Sequence, residues 1–421
     1  MDKIFSTVDW ASGSNVYEVN IRQYSREGTF AAFSKHLPRL KEMGVEILWL
    51  MPITPISVKE RLGTLGSYYA CSSYTDINPE FGTLSDFKAL INDAHALGFK
   101  LIIDWVANHT GWDHHWTSEH PEWYVKDAKG NFTEINGWND VIDLNYNSSD
   151  MRMAMIDAMK YWVRECDIDG FRCDMAHLVP LDFWKQARAA CETSKPLFWL
   201  AECEVVNYHD VFDASYAWAW MHTTGQQAKG EAFLHDVREI LHGYSQYPPG
   251  AMKLFFTTNH DENSWNGTEY EKYGKAAQAW AVFTASWQGL PLIYSGQESP
   301  NTKRIAFFNK DLVEWNEPCR LQQFYQTLLQ LRKRNKAITE GETFVLPSSY
   351  DNQLMAFIRK KNEQVVLVLL NLSKQERATV TVENPWLTGK FTNIFSGLSF
   401  SFNGMESFEL QAGEYFVYEL E

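Results

Sequence analysis

Residues 84–109 read LSDFKALINDAHALGFKLIIDWVANH, and this stretch combines two different periodicities. Apolar residues recur at helical spacing from Leu84 to Leu97, and a short, mostly apolar run follows from Lys100 to Ala107. The first pattern predicts an amphipathic helix, and the second predicts a buried strand. A helix that leads directly into a buried strand is typical of folds in which parallel strands alternate with helices.

The same alternation extends through most of the chain. Further helices are predicted at Thr29 to Met43, Asp150 to Cys166 and Leu181 to Ala190. Strands are predicted at Val16 to Arg22, Val45 to Met51, Lys100 to Ala107, Gly170 to Asp174, Leu197 to Glu202, Val211 to Ala214, Leu254 to Asn259 and Leu292 to Ser295. Eight strand and helix units in this length indicate a (β/α)8 TIM barrel, an α/β fold.

Two segments depart from the alternation. Residues 109–143 are rich in Trp, His and Asn without clear periodicity, and they are longer than a normal connection, which predicts a short inserted subdomain after the third strand. From about residue 341 the pattern alternates with period two between Gly, Asn and Pro turns, which predicts a C-terminal antiparallel β-domain. We therefore expect a barrel at 1–108 and 144–340, an insertion at 109–143 and a β-domain at 341–421.

The amino-acid composition and net charge limit the kinds of molecule that the protein is expected to bind. Of the 421 residues, 45% are hydrophobic and 22% are charged, which is ordinary for a globular enzyme, but 15% are aromatic and 17 are Trp. Trp faces stack on the apolar faces of sugar rings, although most such rings lie in the core of a protein. The net charge of -15 argues against nucleic acid or an anionic membrane as a partner, because both bind basic surfaces.

The six cysteines show no CxxC spacing of a metal site, and we expect free thiols. No apolar run is long enough to span a bilayer. The first five residues also lack the apolar stretch of a secretory signal. These features favour a cytoplasmic protein, unless a signal that preceded this chain has been removed.

Polar residues end the predicted strands. In a TIM barrel the active site forms at the carboxyl ends of the strands, so these side chains are predicted to converge on one rim. They are Asp104, Asn108 and His109 after the third strand, Arg172, Asp174 and His177 at the fourth, Glu202 at the fifth, and His260 and Asp261 at the seventh.

Two of these carboxylates suit glycoside cleavage. Cleavage with retention needs a nucleophile and an acid roughly 5 Å apart, which adjacent strand ends supply. Arg172 and Asp174 point to the same face of a strand, so the guanidinium is expected to lower the pKa of Asp174 and keep this nucleophile ionised. The apolar run before Glu202 is expected to raise its pKa and keep it protonated as the acid. Taken singly, each residue is also compatible with a structural ion pair or a loop cap.

These stretches resemble the α-amylase family of glycoside hydrolases (family thirteen). The resemblance spans Val16 to about Glu298 in the order of the family. The similar motifs are Gly66-Ser-Tyr68-Tyr, Asp104-Trp-Val-Ala-Asn-His109, Ile142-Asp-Leu-Asn145, Gly170-Phe-Arg-Cys-Asp174, Ala201-Glu202, Thr258-Asn-His-Asp261 and Gly289-Leu-Pro-Leu-Ile-Tyr-Ser-Gly-Gln-Glu298.

The resemblance implies hydrolysis of α-1,4-glucans such as starch, maltodextrins and maltooligosaccharides, with no cofactor needed for the chemistry. It implies Asp174 as nucleophile, Glu202 as acid/base and Asp261 as transition-state stabiliser. The residues implied to contact the first sugar are Tyr68, Asp104, His109, Arg172 and His260. The insertion is similar to the family's domain B, and the β-domain is similar to its domain C. Transglycosylation to a sugar acceptor and non-catalytic glucan binding remain alternatives.

Two departures from the family pattern concern specificity and metals. His177-Leu178 stands where many members have Lys-His; we expect His177 to touch a sugar beyond the cleavage point, and endo or exo attack stays open. The acidic metal loop after the first strand is replaced by residues 23–28. A structural calcium implied by the family would use Asn108 and Asp143. A zinc site in the His-rich segment 109–115 is disfavoured, because adjacent histidines point apart on an extended chain.

Overall fold

The structure is a computed structural model that describes residues 5–348, 352–374 and 376–421. Eight parallel strands form a closed barrel, in which each strand pairs with the next along the chain and the eighth pairs with the first. The predicted fold class is confirmed. The barrel strands are Val16–Val19, Ile47–Leu50, Lys100–Trp105, Gly170–Cys173, Phe198–Ala201, Ala214–Tyr216, Met252–Phe255 and Leu290–Tyr294.

The barrel strands are buried almost throughout. The strand Ile47–Leu50 shows why, since its sequence ILWL has no polar residue and all four side chains are buried. A parallel sheet covered by helices on its outside and filled with side chains on its inside needs apolar residues on both faces. Charged residues inside the strands, such as Glu18 and Arg172, are exceptions, and each is buried against a polar partner.

Helices surround the barrel. The α-helices are Ile21–Tyr24, Phe30–Ser34, Leu37–Met43, Leu84–Ala96, Trp116–Glu119, Ser149–Cys166, Leu181–Cys191, Trp218–Lys229, Leu234–Tyr244, Glu269–Tyr273, Ala277–Ser286, Gln322–Arg334 and Lys336–Glu340. Short 3-10 turns lie at Pro121–Trp123, Ala176–Leu178, Val206–Asp210 and Gly274–Ala276, and a π-turn lies at Glu262–Asn266.

The prediction of one helix from Thr29 to Met43 is wrong. The chain forms Phe30–Ser34 and then Leu37–Met43, with Pro38 in the first turn of the second helix. Proline lacks the backbone N–H that a continuous helix needs, and its fixed φ suits a helix start.

Three predicted strands also differ in position. The seventh is Met252–Phe255 rather than Leu254 to Asn259, so residues 256–259 lie beyond its end. The first strand ends at Val19 rather than Arg22, because the side chain of Asn20 accepts a hydrogen bond from Gln23 N and begins the helix Ile21–Tyr24. The sixth strand is Ala214–Tyr216, three residues long, and not the apolar run that begins at Val211. Periodicity cannot locate so short a buried strand.

The insertion begins and ends in a small antiparallel pair. His109–Gly111 pairs with Val141–Asp143, with His109 opposite Asp143. Trp116 and Trp123 lie between these two strands in the sequence, and both are buried. Their rings pack edge to face, with centroids 5.0 Å apart. Part of the Trp content of the insertion therefore forms its core.

The C-terminal strands form an antiparallel six-stranded sheet. Their order is Glu342–Leu346, Leu354–Lys361, Gln364–Asn371, Tyr415–Leu420, Ala378–Asn393 and Ser399–Leu410. Alternate residues of the second strand face opposite ways: Phe357 packs on Trp287 of the barrel at 4.9 Å, while Ile358 joins a second core. All six cysteines are free, as expected. Among the described residues, no helix has the length and apolar character needed to cross a membrane.

Candidate active site

Arg172 connects three carboxylates at the carboxyl rim of the barrel. Its Nη1 donates hydrogen bonds to Asp104 Oδ1 at 2.9 Å and to Asp174 Oδ1 at 2.8 Å. Its Nη2 lies 2.9 Å from Glu202 Oε2, and its Nε donates to the hydroxyl of Tyr216 at 3.1 Å. The guanidinium has no solvent exposure, so one cation compensates carboxylates from the third, fourth and fifth strands.

Backbone pairing explains why these groups meet. Asp104 lies opposite Arg172 in the register of the third and fourth strands. Asp174 N donates to Trp105 O at 3.0 Å, and Glu202 N donates to Cys173 O at 3.0 Å, so each carboxylate sits one step beyond a strand end. Carboxyl ends of neighbouring parallel strands share one rim, and the predicted convergence follows from that geometry.

The residue after Asp174 has an unusual backbone. Met175 has φ of 39°, in the left-handed region that side chains other than glycine rarely adopt. In this conformation Met175 N donates to Glu202 Oε2 at 2.9 Å. Strain of this kind persists where surrounding contacts impose it, often at functional sites. Here it holds the carboxylate of Glu202 next to Asp174.

Burial dominates the protonation of the two carboxylates. It raises the pKa of Glu202 to about 7; the charge of Arg172 opposes this rise, and those of Asp174 and Asp261 add to it. Burial also raises the pKa of Asp174 above its usual value, despite the attraction of Arg172. The expected rise for Glu202 is present, but the expected lowering for Asp174 is wrong, because desolvation and the nearby charge of Asp104 outweigh one shared guanidinium.

On the other side of the site, His260 links Asp261 to Glu18 of the first strand. Its Nδ1 contacts Glu18 Oε1 closely, and its Nε2 lies 2.8 Å from the hydroxyl of Tyr69 and 3.3 Å from Asp261 Oδ2. Burial disfavours the imidazolium, but Asp261 and Glu18 outweigh it and raise the pKa of His260 well above its usual value. Burial is likewise outweighed for Asp261, where His260 lowers the pKa. Asp261 therefore stays ionised near Glu202, whose pKa is raised.

A pocket of about 400 Å³ lies over these groups. Its volume is in the range of small-ligand sites. Polar groups from the barrel form its floor, and aromatic rings form much of its wall. The lining residues are Leu62, Ser67, Tyr69, His109, Gly137, Trp138, Asn139, Asp140, Val141, Asp174, Met175, Glu202, Asp261, Trp265, Phe307 and Phe308.

His109 contributes a neutral hydrogen-bonding group to the pocket. Burial lowers its pKa to about 4, so the imidazole is uncharged near neutral pH. Its ring packs edge to face on Trp138 of the insertion, with centroids 5.4 Å apart. The insertion thus supplies one wall beside the carboxylates.

Of the residues predicted to contact the first sugar, His109 lines the pocket, whereas Asp104, Arg172 and His260 lie behind it, bonded to residues that do line it. Tyr68 does not line the pocket either. It is buried beneath it, where Arg22 lies 4.2 Å above its ring, while Tyr69 faces the site. Tyr69 donates to Asp104 Oδ2 at 3.1 Å and stacks on His260 at 5.4 Å. Both tyrosines belong to the same motif, and the non-regular backbone there gives no periodicity that tells them apart. His177 is exposed on the 3-10 turn Ala176–Leu178, outside the pocket lining.

Sequence reasoning also missed Glu18, Trp265 and Phe307. Glu18 had a signal, since it is the one acidic residue inside the apolar run of the first strand, and it is fully buried against His260. Trp265 and Phe307 lie in loops after the seventh and eighth strands, where local patterns carry no information about which side chains face a pocket.

The proposed metal residues flank the base of the insertion. One oxygen of Asp143, Oδ1, is buried and accepts no hydrogen bond from the described residues, and Oδ2 accepts from Ile135 N at 3.2 Å. Asn108 is buried one residue before the His109–Asp143 pair, and Leu144 N donates to its carbonyl at 3.0 Å. Calcium prefers oxygen ligands of this kind, so the side chains of Asn108 and Asp143 are of the right chemical type to bind it.

The prediction that adjacent histidines of the rival zinc set point apart is wrong: the rings of His114 and His115 lie 4.6 Å apart, because His115 has helical backbone angles at the start of Trp116–Glu119. Asp113 and His114 are nevertheless engaged by other groups. Asp113 accepts hydrogen bonds from Val58 N and Lys59 N, and His114 is buried with its Nδ1 accepting from Trp116 N. His109 lies in the pocket instead. Within residues 5–348, 352–374 and 376–421, no group of three or more His, Cys, Asp or Glu side chains is arranged to hold a metal.

Comparison with known proteins identifies the family. Residues 10–129 and 118–317 match "Alpha amylase, catalytic domain", and residues 343–418 match "Maltogenic Amylase, C-terminal domain". Because these matches cover most of the chain, the protein belongs to the alpha-amylase family of glycoside hydrolases. It carries the C-terminal domain described for maltogenic amylases.

Individual relatives are more distant. The chain is 26% identical to the alpha-amylase MalA of Haloarcula japonica over 87% of its own length, and 25% identical to the maltogenic alpha-amylase of Bacillus acidopullulyticus over 85%. It spans only 56% and 66% of those two proteins. The crystal structure of the noncanonic maltogenic alpha-amylase AmyB from Thermotoga neapolitana matches with a TM-score of 0.90 and 29% identity, over 97% of this chain and 99% of that one.

Proposed function

We propose that the protein hydrolyses α-1,4-linked glucans with retention of anomeric configuration. The observation that carries this proposal is that Arg172 joins three carboxylates, of which Asp174 and Glu202 line a pocket with aromatic walls. A protein that only binds sugar does not need two adjacent carboxyl groups with different roles. Here Asp174 can act as the nucleophile, and Glu202, whose pKa is raised to about 7, can act as the acid.

Asp174 and Glu202 divide the chemistry in two steps. The Asp174 carboxylate attacks the anomeric carbon, the bond from that carbon to the leaving sugar oxygen breaks, and Glu202 gives its proton to that oxygen. Glu202 then takes a proton from water, whose oxygen attacks the same carbon and releases Asp174. A sugar hydroxyl in place of water gives transglycosylation by the same steps.

Asp261, His260 and Tyr69 hold the sugar that is attacked. Asp261 remains ionised, so it accepts strong hydrogen bonds from hydroxyl groups of the distorted ring. His260 is fixed between Glu18 and Asp261, which limits its motion. The role of these residues is positioning and stabilisation of the oxocarbenium-like transition state.

The glucan substrate is supported by the names of the relatives. MalA is called an alpha-amylase, and the Bacillus acidopullulyticus relative and AmyB are called maltogenic alpha-amylases. All three names refer to α-glucan chemistry, and we transfer that substrate class to this chain as a proposal.

The proposal is tested by incubating the purified protein with soluble starch, maltoheptaose and pullulan and resolving the products over time. We expect maltooligosaccharides or smaller sugars from starch or maltoheptaose. Transfer products that predominate when an acceptor sugar is added would indicate a transglycosylase. Absence of products from all three substrates, with and without acceptor, would leave glucan binding without catalysis.

Replacement of Tyr69 by Phe tests which tyrosine serves the site. The variant keeps the stacked ring but removes the hydroxyl that donates to Asp104 and contacts His260. We expect kcat/KM to fall about 10- to 100-fold, the equivalent of about 1.5 to 3 kcal/mol for a hydrogen bond to a charged group. The matched control is Tyr68→Phe, which should leave kcat/KM nearly unchanged. A larger loss in the control than in Tyr69→Phe would reverse the assignment.

A structural calcium held by Asn108 and Asp143 is a second part of the proposal. The ion would supply no chemistry and would join the base of the insertion to the end of the third strand. Thermal unfolding in EDTA and in calcium tests it: at calcium about 100-fold above Kd, we expect stabilisation of about 2.7 kcal/mol and a melting temperature higher by a few degrees. Asp143→Asn should abolish the difference. Equal melting temperatures of the wild type in both buffers would refute the site.

A further inference from the structure

The loops that follow the second and eighth barrel strands are joined above the pocket. Leu65 N donates to Phe308 O at 3.0 Å, and both the backbone N–H and the hydroxyl of Thr64 donate to Asn309 Oδ1, at 3.0 and 2.7 Å. The approach is close, since a Cβ at Gly63 would lie 2.5 Å from Phe308 Cβ, and Gly63 has φ of 64°. Only glycine suits both requirements.

The eighth-strand loop is also anchored from below. Gln23 is fully buried, and its Nε2 donates to the carbonyls of Ala306 at 3.1 Å and Asn309 at 2.6 Å. Its Oε1 accepts from Asp311 N at 2.6 Å, while Asn263 Oδ1 accepts from Ile305 N at 2.8 Å. Buried side chains that satisfy several backbone groups of a loop hold it in one conformation. The bridge is therefore a fixed part of the pocket.

Four apolar residues on these loops form an end wall, which we define as Leu62, Trp265, Phe307 and Phe308. Trp265 packs on Phe307 at 5.4 Å and on Phe308 at 5.6 Å. Phe307 in turn stacks on Tyr69 at 6.2 Å. Trp265 nevertheless keeps 52% of its surface exposed, so its ring offers an apolar face to a sugar in the pocket.

The position of the end wall follows from the strand order. Its residues come from loops after the second, seventh and eighth strands, whereas Glu202 follows the fifth strand, which lies across the closed barrel from the first. Beyond Glu202 the surface is open, with Val205 and Val206 exposed by 42% and 47% and His177 exposed as well. The end wall therefore bounds the pocket on the side of the second, seventh and eighth strands, whereas exposed residues lie on the side beyond Glu202.

The proposed function, on which this inference rests, fixes the orientation of the glucan chain relative to the end wall. Glu202 protonates the oxygen of the departing sugar, so the departing chain, with its reducing end, extends past Glu202 into the open side. The attacked sugar lies toward Tyr69 and Asp261, and its non-reducing end points at the end wall. We propose that the wall admits only the terminal sugars of a chain, so that the protein is an exo-acting hydrolase that cuts glucans from the non-reducing end.

A pair of maltoheptaosides tests the closed end. Both carry a chromophore at the reducing end, and one has its non-reducing terminal sugar blocked by a 4,6-O-ethylidene group. We expect the wild type to cleave the blocked compound about 100-fold more slowly, because a pocket wall discriminates against an added group on this scale. From the unblocked compound, the early products should be one short unlabelled sugar and a long labelled remainder.

Variants of the wall provide the second comparison. Phe308→Ala combined with Asn309→Ala removes a wall side chain and the acceptor for Thr64, and should reduce the difference between the two compounds to about tenfold or less. Phe400→Ala, at an exposed ring on the C-terminal sheet, is the matched control and should keep the wild-type ratio. Equal cleavage of both compounds by the wild type, or early short labelled products, would overturn the closed end while leaving glucan hydrolysis intact. Failure to cleave the unblocked compound would overturn both.

Discussion

Replacing Asp174 by Asn is expected to lower kcat by about 10⁴-fold or more, since the amide cannot form the glycosyl intermediate and nucleophile losses in other enzymes are of this size. The carbonyl oxygen of Asn can still accept the hydrogen bond that Arg172 donates to Asp174. Substrate binding should therefore persist, with a small change in Kd for maltooligosaccharides. Activity and calorimetric binding measured on the same preparation separate the two effects.

Stability gives an independent readout for the same variant. Burial raises the pKa of Asp174, so its ionised form is less favourable in the folded state than in the unfolded state. Folding stability attributable to this group is present at low pH and is lost as the pH rises from the unfolded to the folded pKa. Asp174→Asn removes that cost, and its melting temperature at pH 7.5 should equal or exceed that of the wild type. The control Asp157→Asn, on an exposed helix face, should retain activity.

A variant with lower stability as well as no activity would indicate that Asp174 is chiefly a structural partner of Arg172. Retention of more than a few per cent of wild-type activity after exclusion of contaminating wild-type enzyme would contradict its role as nucleophile.

Glu202→Gln is expected to lower kcat on maltooligosaccharides by about 10²- to 10⁴-fold, the usual contribution of general acid–base catalysis. The loss should be much smaller for α-glucosyl or α-maltosyl fluoride in the first step, because fluoride leaves without a proton. Added azide should accelerate turnover of the fluoride by the variant, since it replaces water without needing a base. A variant equally inactive on both substrates would argue against an acid role.

The same residue sets a pH dependence. Glu202 must be protonated to act as an acid, and its pKa is raised to about 7, so wild-type kcat/KM on oligosaccharides should fall as the pH rises through about 7. Glu202→Gln assayed on the fluoride should lose this alkaline decline. Glu165→Gln, at a half-exposed helix position, is the matched control and should keep it.

The predictability of the site differs among its residues for physical reasons. Arg172 and Asp174 were accessible from sequence because a spacing of two on a strand places both on one face, and the barrel rim brings Glu202 beside them. Tyr69 could not be predicted from the sequence, because its motif lies in an irregular loop. In such a loop no periodicity shows which of two neighbouring tyrosines faces the pocket. The end wall was inaccessible for a different reason, since it depends on contacts between Thr64 and Asn309, far apart in sequence.

The fold shows the same division. Long helices such as Leu84–Ala96 and Ser149–Cys166 lie within a few residues of their predicted bounds, since amphipathic periodicity accumulates over several turns. Strands of three or four residues carry too little pattern, and the sixth and seventh were displaced. The prediction that the pKa of Asp174 is lowered was wrong for another reason. A sequence shows the neighbouring cation but not the burial that outweighs it.

The central claim is that Asp174 attacks the anomeric carbon and the product keeps its configuration. Proton NMR of a concentrated maltooligosaccharide mixed with the enzyme, recorded before mutarotation equilibrates the anomers, tests this directly. The account requires that the α-anomer of the released sugar accumulate first and the β-anomer appear only later. Initial release of the β-anomer would contradict it, because inversion needs water as the nucleophile and leaves no covalent role for Asp174.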